Sequence, residues 1–290
     1  MQIFVDTADL DEIKEAKKWG IVDGITTNPS LIKKAVEKMK RKGIKMSMEE
    51  YIKEICEAVD GPVSLEVKGI KAEDMVREAE ILYKKFNHVN NNVVIKIPVN
   101  TAMNKDDKQF EGIKALKELN KKGIPTNATL VMTSTQALLV AKVGASYVSP
   151  FLGRIDDYIR DRLKIRYGKW DYFDFEIIKK LEEHRQIDKN ADISFSYEKM
   201  KERYADNGIY SGVELLSSII KIYRAYGFKT KIIAASIRNS QQVRQVAEMG
   251  VDIATIPFHV IKEMIIHYKT MEGMKKFMED VVEEYRELFI

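Results

Sequence analysis

The sequence predicts an α/β fold, a (β/α)8 or TIM barrel of eight parallel strands, on three observations. Short β-branched apolar runs alternate strictly with amphipathic helical stretches, which is the pattern of a parallel sheet. Eight such units are present, the number that closes a barrel. No glycine-rich phosphate fingerprint follows any run, which argues against an open nucleotide-binding sheet. The 290 residues suit a single domain, since such a barrel typically needs about 250.

The runs follow in order. Residues 2–7, QIFVDT, form the first strand, and Asp9 with Glu12 resembles a capping box opening a helix that ends before Gly20. Residues 24–28, GITTN, form the second strand, and Pro29-Ser30 begins a helix over about 30–42. Its basic exit, KMKRKGIK, lacks interleaved aromatics and reads as a solvated helix end. Ser47 and Glu50 cap a further helix. Gly61-Pro62 turns into the third strand, VSLEVK at 63–68, and a helix covers 72–86. The fourth strand spans 92–99, NVVIKIPV, and a polar loop at 100–108 leads into a helix ending at Lys122. The fifth strand is PTNATL at 125–130. Thr133 and Gln136 cap the next helix, and SYVSPF at 146–151 is the sixth strand.

An irregular part follows over roughly 153–211, with two short helices expected near 174–185 and 196–204. It carries Arg160, Arg162, Lys164, Arg166 and Lys169, then Tyr167, Trp170, Tyr172, Phe173 and Phe175. Order returns with a helix at 212–226, a seventh strand at 231–236, a helix at 240–249, an eighth strand at 252–258 and a helix at 259–269. An amphipathic helix at about 272–287 closes the chain. The reading is one barrel domain over 1–290, with an insertion at about 155–211.

Composition narrows the function classes. Hydrophobic content of 45% is ordinary for a globular core, and 48 basic residues against 44 acidic give a net charge of +4. This balance calls for neither nucleic acid nor a membrane surface, and it suits small anionic substrates. No run approaches the ~20 apolar residues of a membrane span. Cys56 is the one cysteine, so no internal disulfide can form, which fits a reducing cytoplasmic compartment; it reads as helix core filler. His88, His184, His259 and His267 show no metal-ligand spacing, so no metal is expected.

The chemistry centres on the fourth strand, where Lys96 interrupts a β-branched run. A buried ammonium without a partner is costly. A neutral lysine amine is the nucleophile that forms a Schiff base with a carbonyl. Chemistry in this fold sits at the carboxyl ends of the strands. Polar residues gather there with the two-residue spacing that keeps side chains on one face. They are Asp6 on the first strand, Thr26 and Asn28 on the second, Glu66 on the third, Asn127 and Thr129 on the fifth, Ser149 and Phe151 on the sixth, and Ser236 and Arg238 on the seventh.

Roles follow from residue type. Lys96 attacks a ketone. Glu66, with Thr129 holding a water, moves the protons of carbinolamine dehydration. Asp6 is the base for breaking the carbon–carbon bond beside the iminium. Asn28 and Asn127 can bond sugar hydroxyls. Arg154, Ser236 and Arg238 form a dianion pocket, because guanidinium forks match phosphate oxygens. Arg154 has a plainer alternative, a surface pair with Asp156 or Asp157.

With these residues in place, the chain resembles the transaldolase family, in particular its short microbial branch. The matching stretches are IFVDTADLDEIKEAKKWGIVDGITTNPSLI, GPVSLEV, VVIKIPV, GIPTNATLVMTSTQALLVAKVGASYVSPFLGRIDD and IIAASIRNSQQVRQVAEMGVDIATIPF. The resemblance implies transfer of a dihydroxyacetone unit between sugar phosphates in the pentose phosphate pathway, without metal or organic cofactor. It implies Lys96 as Schiff base, Asp6 as general acid/base, and Glu66 and Thr129 as water-handling groups. Asn28, Asn127 and Ser149 fall on hydroxyl contacts, and Arg154, Ser236 and Arg238 on the phosphate. Family members are oligomers, so a homo-oligomer is expected.

Two other functions stay open. The related fructose-6-phosphate aldolases release free dihydroxyacetone, and typically carry glutamine, alanine and tyrosine where this chain has Glu66, Ser149 and Phe151. All three positions favour transfer. A non-catalytic sugar-phosphate binder on the same scaffold is the third reading, although no member of the catalytic set is missing. The chain departs from short family members in a longer 100–108 loop and in the insertion after Arg154. That insertion is a lid with Arg160, Arg162 or Arg166 facing phosphate, or a solvated helical hairpin or oligomer contact.

Overall fold

Eight strands close in sequence order into a fully parallel barrel in the computed structural model, which describes residues 1–163, 166–173 and 211–290. The strands are β1 (Gln2–Asp6), β2 (Gly24–Thr26), β3 (Val63–Glu66), β4 (Val93–Pro98), β5 (Thr126–Val131), β6 (Tyr147–Pro150), β7 (Lys231–Ala234) and β8 (Ile253–Ile256). β1 pairs with β8, so no edge is left open.

The helices are α1 (Leu10–Lys18), α2 (Pro29–Arg41), α3 (Met48–Ala58), α4 (Ala72–Asn90), α5 (Glu111–Lys121) and α6 (Ser134–Lys142). After the sixth strand come α7 (Leu152–Leu163), α8 (Gly212–Tyr226), α9 (Ser240–Glu248) and α10 (Phe258–Met264). Two capping boxes form as the sequence predicts, Ser47 with Glu50 and Thr133 with Gln136. The third does not. Asp9 caps α1 through the Asp11 amide, while Glu12 turns away to accept the Thr7 hydroxyl at 2.5 Å.

Two apolar assemblies hold the barrel. The larger lies between sheet and helices and includes Ile13, Ile25, Ile55, Ile95, Ile97, Leu116, Leu119 and Leu152. Cys56 belongs to it, and burial pushes its thiol up to about 12. The smaller plugs the barrel interior, where Phe4, Ile233 and Ile253 meet Tyr147. Gly24 makes room for this plug, because a Cβ there would stand 2.7 Å from the Phe4 ring.

Three sequence expectations need correction. Residues 152–163 are not irregular but form α7. Leu152, Ile155 and Ile159 share one buried face at helical spacing, which is masked in the sequence by the charged residues between them. The strand-and-helix repeat therefore continues through α7 rather than breaking off directly after Arg154. The expected helices near 174–185 and 196–204 lie outside the described residues.

The helix expected at 259–269 stops at Met264. The closing helix expected at 272–287 is instead α11 (Tyr268–Glu279) and a short turn, α12 (Glu283–Arg286), parted at Val281-Val282. Two consecutive β-branched residues weaken a helix that no packing supports, and neither segment buries a residue.

Candidate active site

At the carboxyl end of the barrel lies a cavity of about 650 Å³. Lys96 lines it, and register sets the side chains beside the lysine. Glu66 on β3 pairs with Lys96 on β4, and Lys96 with Asn127 on β5. Lys96 is 5% exposed, too little for its stem to be buried and its head in bulk water. Its Nζ donates to the Thr27 carbonyl at 3.1 Å and lies 3.3 Å from Glu66 Oε2. The lysine is thus not partnerless, as the sequence suggested. A carboxylate stands beside it.

Asp6 also lines the cavity. Burial is the largest influence on its carboxyl and raises it above the ordinary value, against Lys96, the Thr26 hydroxyl and Arg238, which all pull it down. Thr26 donates to Asp6 Oδ1 at 2.9 Å when that carboxylate is ionised, which leaves Thr255 to donate to Thr26 at 2.5 Å. Thr255 on β8 completes the ring of polar strand ends. Its signal was present in DIATIPF, two residues before Pro257, but a lone threonine in a strand is also ordinary.

One layer beneath, Asn127 is fully buried. Its Nδ2 donates to Ser64 at 3.2 Å and its Oδ1 accepts from Ser149 at 2.7 Å. Ser149 itself lines the cavity, whereas Asn127, expected to bond a sugar hydroxyl, lies behind it. Thr129 is 1% exposed and its Oγ1 has no hydrogen-bond partner. It sits where β5 shifts register, beside Leu130 at φ 57°. Bulges of this kind re-aim a side chain next to an active site.

Asn28 serves two ends. Its Oδ1 accepts the Leu31 amide at 3.0 Å as the cap of α2, and the residue also lines the cavity. The turn chemistry and the site role coexist. Phe151 lies between two cations, its ring centroid 6.0 Å from Lys96 Nζ and 5.0 Å from the Arg154 guanidinium.

Ser236 and Arg238, expected to bind a dianion, lie on a strained loop. Ser236 adopts φ 60°, in the left-handed region that non-glycine residues rarely visit. Gly153 permits this loop to close on α7, since a Cβ there would stand 2.3 Å from the Ser236 carbonyl and 2.4 Å from Arg238 Nε. The two arginines differ. Arg238 Nη2 bonds Asp157 at 2.5 Å, while its Nε has no partner. Arg154 is exposed, and among the described residues no carboxylate lies within ion-pair distance of it. Its suggested surface partners are engaged elsewhere. Asp157 holds Arg238, and Asp156 accepts from the Gly212 amide at 2.8 Å and Gln242 Nε2 at 2.6 Å.

Arg160 does not face this pocket. It is 2% exposed, lies between the Tyr167 and Phe173 rings, and donates to the Asp171 carbonyl at 2.7 Å. Among the described residues no cluster of three metal-ligating side chains occurs, and no helix is long and apolar enough to cross a membrane.

A model of the family described as transaldolase/fructose-6-phosphate aldolase matches residues 3–289. The chain belongs to this family. A probable transaldolase of Prosthecochloris aestuarii is 40% identical over 280 residues, 97% of each chain. One from Kosmotoga olearia is 39% identical over 286 residues, covering 99% of this chain and 98% of its own. Another, from Caldicellulosiruptor saccharolyticus, is 40% identical over 281 residues, covering 97% and 96%. Membership in the transaldolase/fructose-6-phosphate aldolase family thus rests on nearly the whole chain.

Proposed function

We propose that this protein is a transaldolase, which moves a dihydroxyacetone unit from a ketose phosphate to an aldose phosphate. The donors are fructose 6-phosphate or sedoheptulose 7-phosphate, and the acceptors erythrose 4-phosphate or glyceraldehyde 3-phosphate, in the pentose phosphate pathway. The observation that carries this reading is the contact between Lys96 and Glu66 at the edge of the cavity.

The steps balance on the residues present. Glu66 takes a proton from Lys96, and the freed amine attacks the ketose carbonyl. Water leaves with proton transfers through Glu66, assisted by the unpartnered hydroxyl of Thr129. Asp6 then removes the proton of the hydroxyl on the second carbon from the iminium, the β position, and the bond between the first and second carbons is the one that yields. Its electron pair enters the iminium as an enamine, and the aldose phosphate departs. The acceptor aldehyde takes the enamine carbon while Asp6 returns the proton to its oxygen, and water releases the product. Asn28 and Ser149 hold hydroxyls, with Asn127 bonded behind Ser149. Ser236, Arg238 and Arg154 hold the phosphate.

A coupled assay with fructose 6-phosphate and erythrose 4-phosphate tests this. Wild type turns over, Lys96→Ala does not, and borohydride traps the donor unit on wild type alone. Release of dihydroxyacetone without an acceptor, at a rate matching transfer, would assign the protein to the aldolases instead. No adduct at all would leave a sugar-phosphate binder.

The single, buried cysteine supports a cytoplasmic setting. We further propose a homo-oligomer. Ile265, Ile266, Met271, Met274, Phe277 and Met278 are all more than half exposed in the isolated protomer, an apolar stretch of the kind that marks contact surfaces. A second copy is the occupant proposed, and light scattering of wild type against Phe277→Glu distinguishes the oligomer from a monomer.

A further inference from the structure

Lys169 and Trp170 lie outside the strand-and-helix repeat, on the described stretch 166–173 that follows α7, yet both line the cavity. The stretch is fastened to the barrel at several points. Asn239, the residue after Arg238 and the cap of α9, donates from Nδ2 to the Trp170 carbonyl at 3.1 Å. Arg160 donates to the next carbonyl, that of Asp171. Gln245 Nε2 donates to the Tyr172 hydroxyl at 2.9 Å, and Phe173 is buried. The Trp170 ring meets His259 edge-on at 4.2 Å.

The Trp170 indole in turn carries two cations. Lys169 Nζ stands 4.8 Å from the ring centroid and the Arg238 guanidinium 5.9 Å. An aromatic face holds a cation without supplying a competing carboxylate. Among the described residues no carboxylate lies within ion-pair distance of Lys169, Arg154 or Lys34, all of which line the same cavity. Desolvation is the largest influence lowering the Lys169 ammonium from its ordinary value, followed by Arg238 and Lys34, with Asp157 opposing them. With two other cations close enough to act on it and no carboxylate paired to it among the described residues, Lys169 is placed to meet a bound dianion.

We propose that Lys169, shelved on Trp170, is a further phosphate-binding cation beside Arg238 and Arg154, and that it selects phosphorylated over unphosphorylated sugars. The inference rests on the sugar-phosphate reading of this site. It gives the first part of the insertion a specificity role, through different residues from the arginines the sequence suggested.

The test uses the full chain with Lys169→Met and Lys169→Arg. Fructose 6-phosphate and fructose are compared as donors, and inorganic phosphate binding is measured by calorimetry. The methionine variant is expected to raise KM for fructose 6-phosphate by about tenfold, as loss of one charged contact at a partly solvated rim predicts. Its kcat stays within about twofold, as for removal of uniform binding. kcat/KM for fructose is unchanged, inorganic phosphate binds about tenfold more weakly, and Lys169→Arg restores both values. An unchanged KM and unchanged phosphate affinity overturn the inference, and so does an equal loss with both donors, which marks a structural role. Should wild type fail to transfer while Lys169→Met still weakens phosphate binding, the anion site stands and the assigned reaction falls. Transfer intact with an indifferent Lys169→Met gives the opposite result.

Discussion

Glu66 and Lys96 are register partners on adjacent strands, and their side chains meet at 3.3 Å at 13% and 6% exposure. A pair so nearly dry places a proton acceptor against the nucleophile before any substrate arrives. Glu66→Gln keeps the shape and a hydrogen-bond acceptor but cannot take the proton. Schiff-base formation is expected to slow by about 10²- to 10⁴-fold, the usual span of general acid–base assistance. The rate at which borohydride captures the donor in a single turnover measures it. Capture at the wild-type rate would remove Glu66 from that step.

On the proposed mechanism, Asp6 is expected to give the reaction an acidic limb. Burial raises its carboxyl, so it retains a proton to higher pH than an ordinary carboxylate. It must be ionised to take the hydroxyl proton, so kcat falls as pH drops through that raised value. Asp6→Asn is expected to lose about 10²- to 10⁴-fold in kcat and to flatten the limb. The pH–rate profile of the two proteins checks both. A limb that persists in the variant would have to come from another group.

Asp156 contributes a pH dependence of stability opposite in sign to the usual acid trend. Burial pushes its carboxyl up to about 6, opposed by the Gly212 amide and Arg160. The native state therefore binds this proton more tightly than the unfolded chain. Its contribution to stability falls as pH rises from about 4 to about 6, and is flat above that. The cost of ionisation is about 3 kcal/mol. Asp156→Asn removes this slope, so the difference in unfolding free energy between variant and wild type moves in the variant's favour by about that amount across the window. Urea unfolding at both ends reads it. The same change also turns Gln242, whose Oε1 accepts the Arg238 amide at 2.8 Å, and a higher KM for the phosphorylated donor is expected.

How much of this could be read from the chain follows from where the information lies. Strand residues announce themselves, because β-branched runs and two-residue spacing are local, so Lys96, Glu66 and Asp6 were legible, whereas Arg238 was read onto a strand that ends at Ala234. What Lys96 touches was not legible. The Thr27 carbonyl sits 69 positions away, and only barrel closure brings it within 3.1 Å. The same holds for Ser64 beneath Asn127, and for Asp157, which holds Arg238 across 81 positions. α7 was missed for a different reason. Its buried face includes Asp156 and Arg160, charged residues that blur the apolar periodicity and are buried only because Gln242, Gly212 and Asp171 satisfy them.

Phe151 is the residue expected to set the balance between transfer and release. Its ring lies 6.0 Å from Lys96 Nζ and has no proton to give. On the proposed mechanism an enamine on that nitrogen would persist until an acceptor aldehyde arrives. A tyrosine would place an acidic hydroxyl at the ring edge, able to protonate the enamine carbon and let water free the ketone. Phe151→Tyr is expected to raise dihydroxyacetone release from fructose 6-phosphate by about tenfold or more relative to transfer, a shift of about 1.4 kcal/mol in the partition. The checking measurement is dihydroxyacetone formed without acceptor, set against coupled transfer by the same preparation. A variant in which the ratio is unmoved would show that the enamine is sheltered by something other than the missing hydroxyl, with Arg154, 5.0 Å from the same ring, the next side chain to substitute.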